Sequence, residues 1–373
     1  MKHTPIHRFS ELRLFHKPKR TVLNTYAKAI VVGAGLSIVG ACHAQDKLQG
    51  VGNTEVSHPD KQTEIDSAPH EPVIVENYAE LPDAGINLKI GDLVSPYRVF
   101  SLFVLPGETT ELEVIYPQPD TQYALFANNQ SVPHTEEGTW SWKAPQSPGE
   151  KRLEIRDDKG DIEMVINAFI MTPADEVEGG RLKYYHIGPY PKESEIKNKD
   201  MYIEPEGFIE VTEENMNLNL SPHFKLKEFT SKQGTSFPKF VYLRSPLMLK
   251  LEMLRRELNL NDIPVNNMVI MSGYRTPQYN RAIGNVKFSR HVYGDAADIF
   301  VDNDGNYRMD DLNEDGKHTI EDADVMASMI RELNKRSVYK GLIGGLGVYG
   351  PKSHRGAFIH IDTRGVKARW RKP

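Results

Sequence analysis

The sequence predicts an immunoglobulin-like β-sandwich followed by an α+β domain, and three observations predict it. Residues 81–175 run as short β-branched and aromatic stretches split by turn signals, with no helical period. From residue 245 onward, two amphipathic helical patterns sit beside short apolar strands and glycine turns. The chain has 373 residues, enough for more than one buried core.

The amino terminus reads as an export signal. Residues 1–42 hold seven Lys/Arg and one acid, and "AIVVGAGLSIVGA" (29–41) is an apolar run too short to span a bilayer. Cys42, the only cysteine, follows at once. Its place resembles the acylated first residue of a mature bacterial lipoprotein; ordinary cleavage after Ala44 is the alternative. Either way the protein is expected in the periplasm or cell envelope, as an outer-membrane lipoprotein if Cys42 is lipidated and attached to the membrane. With no other cysteine, no disulfide supports the fold and no thiolate is available to a metal. Any metal site must use His, Asp and Glu.

Beyond residue 42 the chain carries 39 basic and 50 acidic side chains. An acidic body argues against nucleic acid as the main partner. Residues 43–80 are polar, acidic and dotted with proline, the composition of a flexible tether. In the β-module, "KRLEIRDDKGDIEMVINAFIM" is expected to be a hairpin turning at Asp157–Gly160. No catalytic constellation shows in this module, so it reads as a spacer or binding unit. Residues 176–219 connect it to a second domain at 220–373.

That domain opens on "SPLMLKLEMLRREL", with Ser245 as N-cap, Pro246 at the first helical position and a stripe of Leu247, Leu251, Leu254 and Leu258. "NNMVIMSGYRTP" reads as a buried strand ending in a glycine turn. In "GAFIHIDTRG", alternation sends Ile359 and Ile361 to one face, and Phe358, His360 and Asp362 to the other. The same rule in "DAADIFVD" separates Asp298 from Ala297, Ile299 and Val301, with His291 in the turn before. Two His and one Asp would make a three-ligand shell of the kind catalytic zinc uses.

"SGYRTPQYN", "SRHVYGDAADI" and "FIHIDTRG…ARW", in this order, resemble the zinc D-Ala-D-Ala peptidase family, which includes D-alanyl-D-alanine carboxypeptidases, VanX-type dipeptidases and murein endopeptidases. The resemblance covers about residues 220–373 and implies the hedgehog/DD-peptidase fold. Carried over, it makes His291, Asp298 and His360 the zinc ligands and Arg275 the residue that steadies a developing oxyanion. Ser272 and Tyr274 are expected to pack the turn. The implied substrates are peptidoglycan stem peptides or cross-links. One position departs from the pattern: Ala357 stands where many members carry an acidic base three residues before the last histidine. His354 and Asp362 are the two replacements, Asp362 alternatively serving to orient a ligand. A non-catalytic peptidoglycan-binding lipoprotein that keeps the fold is the rival reading.

The acidic stretch 302–322 is a different kind of site. Asp311, Asn313, Asp315, Lys317 and Asp322 occupy positions one, three, five, seven and twelve of a calcium-loop pattern, with Gly316 at six. The sequence thus implies calcium as a structural ion beside the zinc. "DNDGN", with Asp302, Asp304 and Asn306, reads as added ligands or a second, incomplete loop.

Overall fold

Alternation governs the first half of the folded chain. In Thr109–Ile115 the residues Thr110, Leu112 and Val114 are buried between exposed or half-buried neighbours, and in Thr139–Lys143 the buried pair is Trp140 and Trp142. Each strand therefore offers one apolar edge to a core. The structure is a computed structural model and describes residues 85–192, 201–234 and 236–373. The export signal, Cys42 and the tether lie outside the described residues.

Two five-stranded sheets form the N-terminal module. One runs, in spatial order, Leu93–Ser95, Asn87–Ile90, Thr109–Ile115, Thr139–Lys143 and His134–Glu136. The other runs Val99–Val104, Ile162–Ile170, Gly149–Asp157, Tyr123–Ala127 and Gln130–Val132. All pairs are antiparallel except Val99–Val104 with Ile162–Ile170. The expected hairpin turns at Asp157–Gly160, where the Gly160 N–H donates to the Asp157 carbonyl and glycine takes φ +87.

The connecting stretch is built into the body. Its strand Gly207–Val211 pairs with Thr172–Pro173 on one side and Lys239–Val241 on the other. Asn167 Nδ2, in the module, donates to the Asn219 carbonyl at 2.8 Å. One continuous hydrophobic cluster runs through both halves, and the described residues belong to one compact unit.

In the C-terminal half the sheet order is Met268–Ser272, Ala296–Val301, Phe358–Asp362, Gly345–Tyr349 and Ala368–Lys372. Only the last pair is parallel. The sheets and few helices make a mixed, mostly β architecture consistent with an α+β domain. Ile299, Ile359, Ile361, Leu346 and Val348 are buried, and helix Ile320–Leu333 packs on the central strands and on helix Ser245–Leu260. The Leu247/251/254/258 stripe is fully buried, each side chain contributing about 1.5–3 kcal/mol.

Three details correct the sequence expectations. The first helix begins at Ser245 with Arg244 as its N-cap, and no side chain caps it. Arg244 is instead held by its own backbone, its N–H donating to the Gly294 carbonyl and its carbonyl accepting from Leu247. Met268–Ser272 is an edge strand with half-buried positions rather than a buried one, because among the described residues no strand pairs beyond it. The second helix starts at Ile320, so Asp322, expected as a calcium-loop ligand, lies in its first turn and accepts the Thr319 N–H.

Candidate metal centre

The register of the C-terminal sheet builds the site. Asp298 is the cross-strand partner of His360, so their side chains emerge side by side on one face. His291 arrives from a short 3-10 turn, Arg290–Tyr293, that Gly294 ends in a left-handed conformation at φ +69. A Cβ at 294 would run into the Tyr242 carbonyl, so both the turn and the close approach require glycine. Arg290 anchors this turn through a buried ion pair with Asp295 and a bond to the Met201 carbonyl.

His291, Asp298 and His360, all buried, converge. His291 Nε2 lies 3.2 Å from Asp298 Oδ1 and 3.2 Å from His360 Nδ1, and His360 Nδ1 lies 2.9 Å from Asp298 Oδ1. Ligands on a tetrahedral zinc at 2.0–2.1 Å stand about 3.3 Å apart. The trio would need to open by only a few tenths of an ångström to hold an ion. Both distal ring nitrogens are tied as ligand histidines require. His291 Nδ1 donates to the Gly273 carbonyl at 2.7 Å, and His360 Nε2 donates to Asp362 Oδ2 at 3.2 Å. Those bonds leave His291 Nε2 and His360 Nδ1 as the inward donors. The residues present fit a zinc ion.

Electrostatics agree. Burial lowers the His291 pKa and the Arg275 charge adds to that, so this imidazole is neutral. At His360 burial is outweighed by hydrogen bonds and charge from Asp298 and Asp362, and the pKa rises to about 9. Asp298 resists its own burial because both imidazoles hold its carboxyl well below the usual range.

Arg275 lies against the same carboxylate. Its Nη2 donates to Asp298 Oδ2 at 2.6 Å and its Nε to Ser272 Oγ at 2.8 Å. Ser272 therefore positions the arginine, while Tyr274 bonds Tyr190 hydroxyl to hydroxyl at 3.0 Å. Asp362 meets His360 at Nε2, the nitrogen facing away from the trio. It sits on the far edge of the His360 ring, where Arg364 and the Gly345 N–H also engage it. Its geometry is that of a group orienting His360. Ala357 is buried at 2% exposure and brings no acid to the trio. His354 is exposed at the tip of a turn closed by backbone bonds between Lys352 and Arg355, and no hydrogen bond places it at the trio.

The acidic insertion holds two acid-rich loops. Among the described residues, the carboxylates that converge there are Asp302, Asp304 and Asp310, not those of Asp311, Asp315 and Asp322. Asp322 spends its oxygens on the N–H groups of Leu312 and Thr319, capping the helix. Asp311 accepts from Asp315 and Gly316, and Asp315 from Lys317. Asn313 accepts from the Asp315 N–H. Asp302 repeats the Asp311 arrangement, accepting from Asn306 and Tyr307.

Trp370, from the "ARW" motif, stands beside the trio without having been named from the sequence as a candidate. The Trp370 and His360 ring centroids are 5.2 Å apart.

Residues 222–319 match the Peptidase M15 family model. The match contains Arg275, His291 and Asp298 and stops short of His360. It supports a metallopeptidase domain, in a family of zinc enzymes. No curated protein matches the chain. Among solved structures, it is similar to a polysaccharide lyase at 13% identity and TM-score 0.19, over 25% of this chain and 13% of the lyase. It is also similar to fibronectin(III)-like modules of CbhA from Clostridium thermocellum at 12% identity and TM-score 0.16, over 22% of this chain and 94% of that one.

Proposed function

We propose that the protein is an exported zinc peptidase that hydrolyses amide bonds of peptidoglycan stem peptides or cross-links. The observation that carries the reading is the convergence of His291 Nε2, Asp298 Oδ1 and His360 Nδ1, each histidine locked from behind. A zinc ion there supplies a Lewis acid and lowers the pKa of a water to about 7. Arg275, already fixed on Asp298, holds the substrate carbonyl as its oxygen gains charge. Asp362 keeps the His360 tautomer. His354, on the exposed turn just before the His360 strand, takes up the proton in this reading. The two N-terminal sheets, with their parallel terminal pair, are read as an immunoglobulin-type spacer, and the basic-then-apolar leader ending at Cys42 as the export signal and lipid anchor. The insertion's two self-similar loops are read as taking calcium, a hard cation suited to carboxylates.

The test is mass spectrometry of purified sacculi incubated with the protein. New peptides should appear, vanish on chelation and vanish in His360→Ala. Ala357 favours one second reading, a peptidoglycan-binding protein without catalysis. A zinc-loaded protein that leaves every muropeptide intact would establish it in place of the first.

A further inference from the structure

The sheet face that carries the metal trio continues into an aromatic cluster. Gly347 is the cross-strand partner of both His360 and Trp370. A Cβ at 347 would overlap the indole at Nε1 and Cε2, so the bare backbone is what lets Trp370 lie across the strand beside His360. The indole N–H donates to the Tyr349 hydroxyl at 2.8 Å. Tyr349 stacks on Phe358 with centroids 4.5 Å apart and planes 4° apart, and the Arg355 guanidinium lies 4.6 Å from the Phe358 centroid. Tyr349 stands two residues from Gly347 and so points to the same face as His360.

The phenol oxygen is therefore pinned by a bond it accepts, and its own proton remains to be donated. Burial raises the Tyr349 pKa despite the Trp370 bond, and the charges of Asp298 and Arg275 both act on it. The group is a neutral donor at pH 7, within the field of the metal site.

We propose that Tyr349 is a further catalytic residue, donating a hydrogen bond to the substrate carbonyl oxygen as charge develops there, alongside Arg275. Trp370 is the positioning residue that fixes the hydroxyl. A donor held in place before charge appears costs no reorganisation at the transition state. This inference rests on the peptidase reading.

Tyr349→Phe tests it, because the stack on Phe358 survives the change. In the zinc-loaded full chain, zinc affinity should match the unsubstituted protein, and the melting temperature should fall only by the loss of the single bond from the Trp370 indole N–H. Hydrolysis of sacculus peptides should lose about 100-fold in kcat with KM nearly unchanged. Calorimetry with a phosphinic pseudopeptide, its P(O)O⁻ group replacing the scissile amide, should show affinity falling by a similar factor. Trp370→Phe should show a smaller loss of about 10-fold in kcat. Equal rates and equal phosphinate affinity in Tyr349→Phe would overturn the inference and leave the peptidase reading standing. A zinc-loaded unsubstituted chain that neither cleaves nor binds the phosphinate would remove both.

Discussion

Asp362 and Lys250 show how single side chains set this centre from behind. Asp362 accepts from His360, Arg364 and the Gly345 N–H while fully buried. Asp362→Asn should keep the shape but weaken the hold on the His360 tautomer, lowering zinc affinity about 10–100-fold in a chelator competition. Lys250 is buried in the first helix and donates to the carbonyls of Leu342 at 2.9 Å and Asp362 at 2.7 Å. Burial drives its pKa from an ordinary 10.5 to about 7, against the pull of Asp362. Between those values the unfolded chain binds a proton that the folded chain does not. Stability should therefore rise as pH climbs from about 7 to about 10.5, with the full burial penalty present below 7. Denaturant melts across this range should show the slope in the unsubstituted protein, and Lys250→Met should flatten it. The sequence offered the orienting role of Asp362 as one of two alternatives, but gave no sign of the Lys250 role. Lys250 falls within an ordinary amphipathic pattern, and only the fold shows which carbonyls its ammonium meets.

At the scale of elements, strand alternation was the most informative signal, because a two-residue period alone separates Ile359 and Ile361 from His360 and Asp362. It correctly set the polar face but could not say which side of the His360 ring Asp362 would take. That depends on the neighbouring strand, whose glycines at 344 and 345 let the carboxylate fold back beneath it. The acidic insertion shows a related limit: spacing identifies oxygen-bearing side chains but does not show that Asp322, at the twelfth loop position, also accepts the N–H that starts the next helix. Gly347 carries an element-level prediction. Gly347→Ala should push the indole off its strand, red-shifting Trp370 fluorescence and costing about 1–3 kcal/mol in denaturant unfolding. Unchanged fluorescence and stability would mean that the indole does not rest on Gly347.

For the whole molecule, the sequence marked two folded halves at the change in pattern, but it could not show that they share a core. The connecting segment read only as a link, yet its strand Gly207–Val211 draws partners from both sides, and Tyr190 and Tyr202 pack on Tyr293 beside His291. Residues 220–373 expressed alone should accordingly melt well below the full chain in calorimetry or aggregate, since cutting there exposes buried Leu220, Phe224 and Phe240. An equal melting temperature would show the halves to be independent. The central claim is that His291, Asp298 and His360 hold one zinc ion, and a crystal structure with anomalous diffraction at the zinc edge tests it most directly. The expected result is a single peak bonded to His291 Nε2, Asp298 Oδ1 and His360 Nδ1 at about 2.0–2.2 Å. A zinc-soaked crystal with those three atoms still bonded to one another, and the anomalous signal elsewhere, would contradict it.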